Sequence, residues 1–124
     1  MTAPAYVAAS TATNIGLFID KGSAWGYGIQ ILDQANVPVT VVSAKAQIRS
    51  RDGILRFEFT APNLALVASG SPSVAASQVN LRIPSAVSTL WDWSSGRWSL
   101  EVTTGGETYR VAGGDVTATD ETTR

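Results

Sequence analysis

The sequence predicts an all-β protein, an antiparallel sandwich of roughly seven or eight short strands with one short helix near residues 84–90. Three observations carry that expectation. Apolar and polar residues alternate in one segment after another, the period-2 pattern of a strand with one face in a core. Turn clusters of Gly, Asp, Asn, Ser and Pro separate those segments at spacings of about 8–12 residues. Only Pro84 to Leu90 has the makings of a helix, and it is about two turns long.

The clearest element is a hairpin within Trp91 to Asp115. Gly105-Gly106 supplies a two-residue turn, because glycine tolerates the positive φ that tight hairpins need. Folding about that turn sets Glu107 opposite Thr104, Thr108 opposite Thr103 and Tyr109 opposite Val102. Arg110 then falls opposite Glu101, Val111 opposite Leu100 and Gly113 opposite Trp98. Trp98, Leu100, Val102, Tyr109 and Val111 share an apolar face, with Glu101 and Arg110 as an opposite-charge pair on the other.

Taken in order, residues 1–13 read as an extended arm with Tyr6 and Val7 as its sizeable anchors, lying either free or on a neighbouring subunit. A sandwich domain follows over 14–119, and 120–124 is a polar tail. Asn14 to Asp20 alternates, with Ile15, Leu17 and Ile19 inward. Ala24 to Leu32 alternates again, with Trp25, Tyr27, Ile29 and Ile31 inward. Asp33 to Asn36 is a turn cluster. Ala44 to Ser50 and Ile54 to Phe59 form a second hairpin about Asp52-Gly53. It pairs Gln47 with Glu58, Ile48 with Phe57, Ala46 with Phe59 and Arg49 with Arg56. Thr60 to Ser77 reads mostly as loop, with a short edge strand near Leu64 to Val67 and a tip around Gly70 to Ser73. Gln78 to Ile83 alternates with Val79, Leu81 and Ile83 inward. Val116 and Ala118 face inward near the end.

The bulk numbers narrow the function. The chain has 124 residues, one domain by length. Its formal net charge is −1, which offers no electrostatic case for nucleic acid or an anionic membrane as partner. Charged residues make up only 15 %, against about 25 % in a typical domain. A surface rich in Ser, Thr, Ala and Gly suits either contact with neighbouring subunits or an ordinary Thr-rich sheet. There is no Cys and no His, so thiol chemistry and the commonest general base and metal ligand are missing. No run is apolar enough to read as a membrane span, and the N-terminus lacks the charged start and Leu-rich core of a secretory signal.

No motif carries catalysis. Most of the carboxylates fall at turns or on outward faces, and no DxD, HExxH or GxSxG is present. Gly26-x-Gly28 lies inside a strand with no helix after it, so it cannot cradle a phosphate. The expectation is therefore a protein that is not an enzyme and carries no cofactor or metal. Four tryptophans keep a carbohydrate-binding module open, because exposed indole faces stack on sugar rings. Trp25 and Trp98 are inward by alternation; Trp91 and Trp93 flank a turn and either plug the end of the sandwich or face outward.

The order of these signals resembles a class of small immunoglobulin-like sandwich proteins of tailed bacteriophages, and it is similar to the N-terminal domain of BppU-type baseplate upper proteins. The resemblance runs from about Asn14 to the end. It is carried by Ile19-Asp20-Lys21-Gly22, Ala44 to Arg49, Asp52-Gly53, Val79 to Ile83 and, most specifically, the ending. There Trp93-Ser94-Ser95-Gly96-Arg97-Trp98 leads through Leu100 and Val102 to Gly105-Gly106, Tyr109-Arg110-Val111, Gly114-Asp115-Val116-Thr117-Ala118 and Thr123-Arg124. The chain departs from the pattern at Val37 to Thr40, where a Leu-Thr-Gly turn is usual, and in the longer stretch Ala61 to Ser77.

The resemblance implies an immunoglobulin-like sandwich located in the virion. The role it implies is a tail or baseplate accessory or adaptor protein that assembles by surface complementarity. Decoration of the capsid surface, or a head fibre, is the alternative. Partners would be other virion proteins of the tail, baseplate or capsid shell, with further copies of the chain in a homo-oligomer, and neither nucleic acid nor membrane. The candidate interaction surface comprises Tyr6, Val7, Leu64, Leu66, Trp91 and Trp93.

Overall fold

The computed structural model describes residues 2–6, 13–32, 37–70 and 72–120. Ten strands and one helical turn follow in order: β1 (Thr2–Tyr6), β2 (Thr13–Asn14), β3 (Leu17–Lys21), β4 (Trp25–Leu32), β5 (Ser43–Arg49), β6 (Leu55–Phe59), β7 (Leu64–Ser69), β8 (Val74–Ile83), α1 (Ser85–Ser88), β9 (Ser95–Thr104) and β10 (Glu107–Asp120). They form a β-sandwich. One sheet has the order β1-β4-β8-β7; the other runs β2-β10-β9-β5-β6, with β3 continuing beside β10. Most pairs are antiparallel, but β1 lies parallel to β4, and β2 and β3 lie parallel to β10.

The core is where the alternating patterns place it. Ile29 and Ile31 of β4 and Val79, Leu81 and Ile83 of β8 are buried from one sheet. Leu17, Ile19, Ile48, Trp98, Leu100 and Val102 are buried from the other. Short alternating strands of this kind cannot bury their apolar face alone, so the two sheets close on each other.

The arm expected over 1–13 begins with a strand: Thr2–Tyr6 pairs with Gly28 to Leu32 of the same chain. Val7 lies outside the described residues, as do the turn cluster 33–36 and the tail beyond Asp120. The stretch 60–77 is also more ordered than a loop. Leu64–Ser69 and Val74–Ile83 form a hairpin with an irregularity between Val67 and Ser69. Side chains hold its end. The buried Ser77 hydroxyl accepts the Ser69 N–H at 3.0 Å and lies 2.8 Å from the Val74 carbonyl, to which it donates. The helix is shorter than the expected 84–90. Pro84 precedes it in extended conformation as the N-cap, one position earlier than its expected place. Ser88 closes it, buried, and its Oγ accepts the Gly22 N–H at 3.0 Å.

Two registers differ from the simple foldings. Around Gly105-Gly106 the pairs from Glu107–Thr104 to Arg110–Glu101 stand as expected, and then β10 shifts. Ala112, not Val111, opposes Leu100, and Gly114, not Gly113, opposes Trp98. The reason is that Val111 and Ala112 are both buried. Consecutive inward residues require a bulge, which adds one residue to that strand. In the other hairpin Ala46–Phe59, Gln47–Glu58 and Ile48–Phe57 pair as expected, but Arg49 opposes Leu55 rather than Arg56. The Ser50 N–H donates to the Ile54 carbonyl at 2.8 Å, so the loop holds three residues, Arg51 to Gly53. A three-residue loop with positive φ at its last position shifts the register by one.

Candidate interaction surface

Trp91 and Trp93 lie between α1 and β9, separated by one residue. Trp93 is only 8 % exposed and belongs to the core; Trp91 is half-buried against it. Their rings stack at 4.5 Å between centroids and 29° between planes. Trp91 also meets Phe57 of β6 at 5.8 Å, and Phe57 meets Phe59 edge to face at 4.9 Å and 89°. Phe59 lies 6.3 Å from Trp25 of β4, which stacks on Tyr27 at 6.2 Å. Six rings therefore form one chain of contacts across the gap between the sheets. Each such pair contributes about 0.5–1.5 kcal/mol beyond its buried area. The rings of Trp91 and Trp93 each cover one face of the other.

Leu64 and Leu66 sit on β7, which is the edge strand opposite β1 in its sheet. Both are half-buried and pack on the core, while Ala65 and Ala68 face outward. Tyr6 ends β1, with its backbone in register with Leu32. Of the six expected residues, then, Trp91 and Trp93 are brought together, while Leu64 and Leu66 share an edge on the other sheet.

Other side chains offer more apolar surface. Phe18 is 76 % exposed, Leu90 82 % and Val42 70 %. Phe18 was legible as an outward residue, because Leu17 and Ile19 on either side of it are inward in β3. An aromatic ring at an outward parity is a large apolar side chain left on the surface. Leu90 and Val42 lie outside the strands, where no parity argument reaches them.

The remaining chemistry is quiet. Among the described residues no side-chain nitrogen or oxygen is buried without a partner. No group of three or more acidic, imidazole or thiol side chains there is placed to hold a metal ion. No helix among those residues is long and apolar enough to cross a membrane. What the surface offers is apolar side chains and charged groups on rigid strands.

No protein-family model matches the chain, and no curated protein matches its sequence. Among solved structures it is similar to the N-terminal domain of phage TP901-1 ORF48. The TM-score is 0.49 and the identity 8 %, over 96 % of this chain and 99 % of that one.

Proposed function

We propose that this chain is a structural protein of a tailed-phage virion, a tail or baseplate accessory or adaptor that joins its neighbours by surface complementarity. The observation that carries the reading is the closing hairpin, on which the resemblance to phage sandwich proteins is most specific. Its residues have defined jobs. Trp93, Trp98, Leu100 and Val102 fill the core. Gly96 passes beneath the Arg49 carbonyl, where a Cβ would come within 2.7 Å of the oxygen. Gly114 passes equally close to Asn14, where a Cβ would come within 2.6 Å of Oδ1. The Trp and Gly positions of the motif thus join β9 and β10 to their neighbours in this chain.

The exposed Phe18, Leu90 and Val42 support a role in assembly. Large apolar side chains on a rigid scaffold are the material of interface centres. Mass spectrometry of purified particles tests the reading: peptides of this chain are expected at a fixed ratio to the tail proteins, and their absence from mature particles would end it. A particle map then separates the roles, since density at the tail tip supports an adaptor and density on the shell replaces it with a decoration protein.

A further inference from the structure

We propose that the outer face of the six-stranded sheet docks a carboxylate-bearing segment of a protein partner, gripped by Arg97 and Arg110 beside a fixed Arg49. The inference concerns a surface separate from the aromatic cluster and does not depend on where the protein resides.

The strand pairing places these cations together. Arg49 of β5 stands directly opposite Arg97 of β9, an arrangement of like charges that weakens a sheet. The carboxylates nearby do not neutralise them. Asp115 is the β10 partner of Arg97 in register, yet its Oδ1 pairs with Arg51 at 3.6 Å. Glu101 is the partner of Arg110 in register, but the Arg110 guanidinium lies over Gly113 instead, where a Cβ would come within 2.6 Å of Nη2. Arg49 is held by neutral acceptors: its Nε and Nη2 donate to Gln47 Oε1 at 3.1 and 2.9 Å, and its Nη1 to the Gly53 carbonyl at 2.9 Å. Among the described residues Arg97 and Arg110 form no ion pair and no hydrogen bond with a side chain or backbone group. Arg49, Arg97 and Arg110, together with the Asp115-paired Arg51, line an open depression of about 390 Å³.

General basicity does not explain this, because the chain has a net charge of −1 and nine Lys and Arg in all. A planar guanidinium fork matches a carboxylate through two parallel hydrogen bonds. Its surroundings favour a short anionic segment over a polyanion. Glu101, Asp115 and Glu58 flank the cations on the same face, so a continuous phosphate backbone crossing the sheet would meet repulsion on either side. Ile54 and Leu55, exposed at the tip of the adjoining hairpin, add apolar contact of the kind a peptide segment uses.

The test is a titration of the ¹⁵N-labelled full chain with a hexaglutamate peptide at low salt, followed through the arginine Nε–H and backbone amide resonances. Shifts are expected to concentrate at Arg49, Arg97 and Arg110. Arg97→Gln and Arg110→Gln should each weaken binding by about tenfold, the effect of losing one charge-assisted contact. Arg97→Lys, which keeps the charge but loses the fork, should recover only part of the loss. Arg82→Gln, on β8 of the other sheet, should change nothing. Shifts that are absent or spread evenly over the surface would overturn the proposal. So would an equal weakening by Arg82→Gln, or tighter binding of duplex DNA than of the peptide at the same ionic strength.

Discussion

The Trp98 indole Nε1–H donates to the Ile15 carbonyl at 2.7 Å, tying β9 to a segment 83 positions earlier in the chain. Ile15 in turn donates its N–H to the Gly113 carbonyl at 2.8 Å. One residue between β2 and β3 is therefore fastened to both strands of the closing hairpin. Trp98→Phe should remove the indole bond, leave the Ile15 carbonyl without that donor and open space beside a ring that is now 2 % exposed. We expect a loss of about 2–4 kcal/mol, combining an unpaired polar group with partial cavity formation. Urea unfolding should show a lower midpoint at an unchanged slope.

The same junction makes Gly114 irreplaceable. Its φ is +155°, and a Cβ there would overlap the Ile15 carbonyl oxygen and come within 2.6 Å of Asn14 Oδ1. Backbone atoms cannot step aside as a flexible side chain would. Gly114→Ala should destabilise by about 3 kcal/mol or more, a magnitude reserved for strain and overpacking. Gly105→Ala is the control. Its φ is +59° and nothing lies within 4 Å of the added atom, so only the left-handed conformation opposes it. A loss of about 1–2 kcal/mol is expected there. Thermal unfolding of the two variants should separate them clearly.

Ser77 carries the hairpin that the sequence pattern hid. It is fully buried, and its hydroxyl lies 2.8 Å from Ser69 Oγ as well as within reach of the Ser69 N–H and the Val74 carbonyl. Ser77→Ala would strand those groups, at a cost of about 1–3 kcal/mol. Hydrogen exchange should show the loss first at Ser69, where the serine replaces the ladder, before the amides of Val79 and Leu81 respond.

Why some of the fold was legible and some was not follows from these residues. Val79, Leu81 and Ile83, like Trp98, Leu100 and Val102, alternate with polar neighbours, so a single parity rule buries them. The β7–β8 hairpin has no such contrast. Ala65, Ala68, Ala75 and Ala76 are small on both faces, and a serine side chain supplies what pattern does not. The register beyond Arg110 depended on two consecutive inward residues, Val111 and Ala112, which a strict period of 2 cannot represent. The parallel pairing of β1 with β4 joins distant segments with no turn to announce it. At the surface, Phe18 was readable from its parity, whereas the ring chain through Trp91, Phe57 and Trp25 joins three separate elements and exists only in the fold.

That ring chain separates a structural role from a contact role. Trp93 fills the core, so Trp93→Ala should cost about 3–5 kcal/mol, the range for emptying a large aromatic site. Trp91 has one face on Trp93 and an edge against Phe57 but remains half-exposed, so Trp91→Ala should cost less, about 1–2 kcal/mol. A double-mutant cycle between the two should return a coupling of about 0.5–1.5 kcal/mol, because each removes the other's stacking partner. The exposed part of Trp91 then has its own readout. If Trp91 contacts a neighbouring virion protein, a stably folded Trp91→Ala variant should be depleted from purified particles relative to wild type. Normal incorporation of that variant would confine Trp91 to the aromatic cluster and leave Phe18 and Leu90 as the apolar side chains to test next.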